Sequence, residues 1–252
     1  MNNFNNYNNY NNNHNHYNSY NHNGNVMYHE HGIAKHMAKT YLWMFLGLAI
    51  TFGLSLYMTL NSVSVMTFLD NHKTLYFGAS IISFVLIIVM GFMVYKLPVT
   101  IAKIIFIIYA ADMGVIITPL LLTYSRSSVI TVFGAAALIY LTLAIIGFTT
   151  KKDVSKLGSI LTISLIGVMV YSLISYFLIR TPFNDLIINI VVVAIFMGFT
   201  IYDNNMIKKQ YRAFQGNTKL LERISILSAL NLYLDFINLF IRLLAMFGKR
   251  RD

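Results

Sequence analysis

After residue 40 the chain alternates long apolar runs with short polar joints. The runs cover 41–60, 74–95, 99–122, 128–148, 157–179, 185–207 and 225–247. A helix rises ~1.5 Å per residue, so crossing a ~30 Å hydrocarbon core takes ~20 mostly apolar residues. Every run meets that length, and each is predicted to be a membrane-spanning helix. Breakers mark the joints: Pro98 follows the second run, Pro182 precedes the sixth, and "TTKKDVSKLG" separates the fourth from the fifth. The predicted fold class is an all-α integral membrane protein, a bundle of seven transmembrane helices. Small residues in "GAS" (78–80) and "GAAA" (134–137), and at Gly158 and Gly167, are places where helices can approach closely.

The seventh run is not uniformly apolar. Ser228, Asn231, Asp235, Asn238 and Arg242 recur at spacings of 3, 4, 3 and 4, which is one stripe on a helix. The other faces are Leu, Ile, Phe and Tyr, so this helix is expected at the centre with its stripe turned inward. In the sixth run, Asn189, Thr200 and Asp203 fall near a common face, and the third run contains Asp112. A charge at the bilayer centre costs on the order of 2.5–3.5 kcal/mol, so it normally faces the bundle and marks function. Asp112, Asp203, Asp235 and Arg242 are therefore the candidate functional residues. The competing reading of each carboxyl is a neutral, hydrogen-bonded group that only holds helices together. The other six acids, Glu30, Asp70, Asp153, Asp185, Glu222 and Asp252, lie in tails, joints or helix ends where water solvates them.

Depth constrains which of these can meet. By helical rise, Asp203 lies about 6 Å from the end of its run and Asp235 about 12–15 Å into the next. The two carboxyls face each other only if the helices are offset or tilted. Asp112, at about 20 Å, and Arg242, at about 22 Å, share a depth, which predicts a buried ion pair between them.

Composition supports the membrane assignment. Of 252 residues, 57% are hydrophobic and 11% charged, against roughly 25% charged in soluble proteins. The net charge of +10 is spread through the joints rather than along one face, which argues against nucleic acid and for loops beside an anionic leaflet. One set of alternate joints holds twelve basic residues: Lys35, Lys39, Lys96, Lys103, Lys151, Lys152, Lys156, Lys208, Lys209, Arg212, Lys219 and Arg223. The other set holds Lys73, Arg126 and Arg180 before the last run. This asymmetry places the N-terminus in the cytoplasm. The final "GKRRD" breaks the pattern, because seven crossings put Lys249, Arg250 and Arg251 outside; a re-entrant last run would avoid this, but seven crossings are the preferred reading. The segment "KKQYRAFQGNTKLLER" (208–223) is expected to be a cytoplasmic loop. The absence of cysteine excludes disulfides, thiolate metal sites and thiol nucleophiles.

Residues 1–30 form a separate Asn/His/Tyr-rich tail, expected to be disordered because its first 25 residues hold almost nothing aliphatic to bury. Six of the seven histidines fall between His14 and His36, yet their spacing fits no metal-ligand template. The membrane domain is expected over 31–252.

Three stretches, "FTTKKDVSKLGSIL" (148–161), "IYDNNMI" (201–207) and "ALNLYLDFINLFIRLLAMFG" (229–248), together resemble the Bax inhibitor-1 family, the transmembrane Bax inhibitor motif proteins. The likeness covers roughly residues 30–248, and the Asn-rich tail and short joints look like the bacterial inner-membrane branch. The resemblance implies a bundle whose seventh helix is enclosed by the other six. It implies a calcium leak, driven by the gradient and gated by pH, in which Asp203 and Asp235 form a hydrogen-bonded, proton-sensing pair. It departs from the family where the second helix has no internal acid or arginine, only Lys96 at its end, so a latch using a charge there is in doubt. The resemblance assigns no role to Asp112.

Two touching carboxyls in a low-dielectric site cannot both ionise cheaply, so they share a proton. Losing it would leave two repelling charges and offer oxygen ligands, transiently, to Ca²⁺, with Asn231 and Asn238 as accessory carbonyls. No enzymatic activity and no cofactor are expected; Ca²⁺ is the expected cargo. An intramembrane aspartyl protease would need Gly-x-Gly-Asp and Pro-Ala-Leu motifs, whereas Leu232, Tyr233 and Leu234 precede Asp235. A retinal-type pump would need a lysine inside the last helix, which has only Arg242. The main alternative is a non-transporting regulator that binds other membrane proteins, such as a protease complex or stress machinery; proton-coupled exchange is a narrower one. Expected partners are the lipid bilayer, Ca²⁺, protons and membrane proteins, with no nucleic acid.

Overall fold

The fold was obtained as a computed structural model, which describes residues 5–93, 96–150, 152–178 and 181–251. The side chains of 5–30 and of Ser62, Met66, Phe68, Leu69, Asp70, Lys73 and Leu75 lie outside that description. The side chains of the whole tail predicted to be disordered, residues 1–30, therefore lie outside it. The helices are α1 (Asn5–Leu60), α2 (Ser62–Asn71), α3 (Lys73–Met93), α4 (Val99–Thr123), α5 (Arg126–Thr149), α6 (Ser155–Leu178), α7 (Pro182–Phe214) and α8 (Thr218–Phe247). Seven are long and apolar enough to span: His31–Leu60 within α1, Tyr76–Met93 within α3, and α4 to α8. The protein is an all-α, multi-pass membrane protein. The short α2 bridges the first two spans; it is too short to appear as an apolar run.

Between the last two runs the helices depart from the apolar pattern at the α7–α8 joint. The expected loop 208–223 is mostly helix, because Lys, Gln, Arg, Ala, Leu and Glu are good helix formers even where they are not apolar. The turn is only Gln215–Asn217, and Asn217 caps α8 by accepting from the Leu220 backbone N–H at 3.0 Å. At its other end α7 starts on Pro182, with Thr181 accepting from the Asn184 N–H at 3.3 Å.

The α8 helix is the most enclosed. In its most apolar eighteen-residue window 72% of residues are buried, against 6–33% in the other six spans. Its main contacts are with α1, α4, α5 and α7, while α3 leans on α4 and α6 on α7. Its main neighbours are thus four, where the family resemblance implied enclosure by six. Leu232, Tyr233, Leu239 and Phe240 are fully buried. Aromatic edges lock them in place: Tyr233 meets Phe106 and Tyr109, and Phe133 meets Phe236 and Phe240.

The two ends of α8 lie on opposite faces of the bundle. Its start is tied to α1, where Glu222 pairs with Lys39 at 3.1 Å, and the adjacent α7 end brings Tyr211 against His36. Its end is clasped to the α4–α5 turn. Tyr124 and Arg250 form an antiparallel bridge, Ser125 N–H donates to the Lys249 carbonyl and Arg251 N–H to the Thr123 carbonyl, both at 2.9 Å. Lys249 N–H also donates to Ser128 Oγ at 2.9 Å. Such a path is a crossing, and a re-entrant last helix is ruled out.

Candidate functional site: a carboxyl pair between the last two helices

One antiparallel register sets the site. Ser228 on α8 donates to Gln210 on α7 at 2.8 Å. Seven residues onward along α8 is Asp235, and seven residues back along α7 is Asp203. Seven residues are close to two helical turns, so both side chains return to the shared face. There the two carboxyls are in side-chain hydrogen-bond contact. The offset that the depth estimate required is real. Asp203 lies eleven residues before the end of α7, about 16 Å by rise, and Asp235 seventeen after the start of α8, about 26 Å.

The surroundings are polar, and among the described residues neither carboxyl is in an ion pair. Asp235 is 4% exposed and its Oδ2 is buried with no N–H or hydroxyl partner, while Asp203 is half-buried. Tyr140 of α5 lies near both carboxyls and near Tyr41 of α1, and its hydroxyl donates to Met44 Sδ at 3.5 Å. The Tyr41 hydroxyl donates to Asn204 Oδ1, and Asn204 Nδ2 is spent on the Thr200 carbonyl at 2.7 Å. The ion pairs Lys39–Glu222, Lys103–Glu222 and Lys209–Asp153 do not touch the site. Outside the membrane, the Lys209 ammonium at 2.5 Å holds the Asp153 carboxyl well below the usual carboxylate range.

Close backbone packing seats Asp203. A Cβ on Gly147 of α5 would stand 2.5 Å from the Ile201 carbonyl and 2.9 Å from Asn204 Cβ. Only glycine lets α5 press against α7 at this level. Just beyond it, Asn205 and Lys208 of α7 donate to the end of α5: Asn205 Nδ2 to the Thr150 carbonyl at 3.4 Å, and Lys208 Nζ to Phe148 and Thr150.

The predicted Asp112–Arg242 ion pair does not form. Asp112 accepts from Ser83 of α3, and Arg242 Nη1 donates to Asn189 of α7 at 3.0 Å. Equal depth placed them level, but depth says nothing about direction around the helix, and the two residues turn to different neighbours. Asn238 uses its amide on its own Leu234 carbonyl at 2.8 Å, and Asn231 is half-buried on the same stripe. The stripe of α8 thus faces α7 in particular, through Ser228, Asp235 and Arg242. Tyr41, Tyr140 and Asn204 were not legible as site residues; Asn204, the first amide of "YDNN", is marked only by standing next to Asp203. Among the described residues no group of three or more His, Asp or Glu side chains could hold a metal ion.

These features define a class: a helical membrane protein whose last two spans bring two carboxyls together inside the bundle. Comparison with known proteins gives the family. The profile of "Inhibitor of apoptosis-promoting Bax1" matches residues 33–252. The chain is 34% identical to the Escherichia coli (strain K12) inner membrane protein YbhL over 221 residues, covering 87% of this chain and 94% of that protein. It is 34% identical to a Streptococcus pyogenes serotype M3 membrane protein over 233 residues, 90% and 99% of the two. A Borreliella burgdorferi protein is 31% identical over 218 residues, 86% and 93%. The chain belongs to the Bax inhibitor-1 family.

Proposed function

We propose that the protein is a pH-sensitive calcium leak of the bacterial inner membrane, N-terminus inside, gated by the Asp203–Asp235 pair. The observation that carries this reading is the contact of two carboxyls, one on each of the last two helices, neither in an ion pair with a cation among the described residues. One shared proton ties α7 to α8 as a charge-assisted hydrogen bond. When that proton leaves, two like charges face each other where water is scarce, and their repulsion favours separation of the helices. Separation exposes carboxylate oxygens, the ligands a hard cation such as Ca²⁺ prefers. The site holds too few ligands to retain the ion, which suits passage rather than storage. Asn231 and the free Oδ1 of Asn238 are the accessory oxygens on the same stripe.

The test is Ca²⁺ flux by the purified protein in liposomes, with protein-free liposomes as control. The expected result is flux that rises as pH is raised. Flux no greater than the control at every pH would reject transport and favour the non-transporting regulator. Counter-movement of protons in fixed ratio would turn the leak into an exchanger.

A further inference from the structure

The basic C-terminal segment opposes the charge asymmetry of the rest of the chain, and the leak mechanism makes no use of it. The structure gives it a fixed position. The clasp of backbone bonds between 123–125 and 249–251, with Lys249 N–H on Ser128 Oγ, holds the segment against the α4–α5 turn. Lys249, Arg250 and Arg251 are all exposed there, as is Arg126 at the start of α5.

Directly below lies a groove of about 450 Å³ between α5 and α8. Ser127, Ser128, Thr131 and Lys249 line its mouth, and Val132, Ile139, Leu243 and Phe247 are among its apolar walls. From Ser127 to Ile139 the groove follows α5 for twelve residues, about 18 Å by helical rise, close to the ~15 Å of one leaflet's hydrocarbon. Hydroxyls and cations are at the headgroup end, and apolar side chains line the acyl depth. Asp185, the described acid at this face, sits in the first turn of α7, which has no part in the groove. Asp70 and Asp252 lie outside the described side chains.

We infer that this groove is a binding site for one anionic phospholipid, its acyl chain along Val132, Ile139, Leu243 and Phe247 and its phosphate held by Lys249, Ser127 and Ser128 under the field of Arg126, Arg250 and Arg251. The Thr131 hydroxyl is spent on the Ser127 carbonyl at 2.9 Å. The site offsets three outward cations that the insertion rules disfavour. It also joins the end of α8 to the lipid of the opposite leaflet from the α7–α8 turn.

The experiment is native mass spectrometry of the purified full-length protein titrated with phosphatidylglycerol and, separately, phosphatidylcholine. The wild type should retain one phosphatidylglycerol in preference to phosphatidylcholine, and added salt should erode that preference. The triple variant Lys249→Gln, Arg250→Gln, Arg251→Gln should lose it. At about fivefold per basic residue near the membrane surface, the loss is on the order of a hundredfold. Ala135→Leu, which fills the groove from an exposed lining position, should weaken retention of both lipids. Equal retention of the two lipids by the wild type, undiminished phosphatidylglycerol on the triple variant, or unaltered retention by Ala135→Leu would overturn the site. Displacement of phosphatidylglycerol by millimolar inorganic phosphate would also overturn it, by making the ligand a free anion.

Discussion

Two sides of α8 are built from similar residues and treated differently. Toward α1 and α4, Glu222, Ser225 and Tyr233 of α8 each have a complementary partner. Glu222 meets Lys39 and Lys103, Ser225 meets Thr40 at 2.9 Å, and Tyr233 meets Thr51 at 2.7 Å, while Thr51 also donates to the Ala110 carbonyl at 2.7 Å. Toward α7, roughly a third of a turn around the helix, a carboxyl meets a carboxyl and a guanidinium meets a single amide oxygen. One side is a seam of matched donors and acceptors. The other keeps a group, Asp235 Oδ2, buried without an N–H or hydroxyl to bond. Matched networks rigidify, whereas an unmatched buried carboxyl depends on a proton for its stability. On this view, α1 and α4 anchor α8, and the α7 side is where it yields.

The comparison can be broken at several points. The largest effect is expected from pH itself. As pH rises and the shared proton leaves, an uncompensated charge is buried, a loss on the order of 3–5 kcal/mol. Thermal unfolding of the wild type should therefore shift downward with rising pH. In Asp235→Asn, whose amide donates to Asp203 without a titrating proton, that shift should disappear. Next is Gly147→Leu, which drives a side chain into the Ile201 backbone and should cost about 1–3 kcal/mol while forcing α5 away from Asp203. On the seam side, Tyr233→Phe removes one interhelical bond. It should cost about 0.6 kcal/mol in unfolding experiments and leave the pH dependence of flux unchanged. The smallest effect is expected at the exposed Lys209–Asp153 pair. Asp153 is held low in the folded protein, so its stabilisation exists above the unfolded value near ~3.9 and fades as pH falls through the lower folded one. Lys209→Gln should lower the melting temperature slightly at neutral pH and not in strong acid.

Much of this arrangement is legible in the residues before any coordinates. Apolar run length identifies the seven spans, because bilayer thickness fixes it. The 3, 4, 3, 4 spacing from Ser228 to Arg242 identifies the polar stripe, because helix pitch fixes that. Helix ends at the α7–α8 joint were hidden, since hydropathy marks where the membrane ends and not where the helix does. The Asp112–Arg242 pairing failed because depth is one coordinate of three, and the missing azimuth depends on how α3 and α7 pack. Tyr41 and Tyr140 join the site from two other helices, and no local pattern shows such a convergence. Small residues gave a mixed signal. Gly158 packs on the Tyr202 ring as a close approach requires, whereas Gly78, Gly134 and Gly167 have open space around their Cβ positions, and the decisive Gly147 lies in none of the small-residue clusters.

The most direct test of the account is the pH profile of Ca²⁺ flux through purified wild type, Asp203→Asn and Asp235→Asn in liposomes. The account predicts a wild-type flux that climbs with pH and a flat profile in both variants. A wild-type-like profile in both would show that the proton is sensed elsewhere and would contradict the central claim.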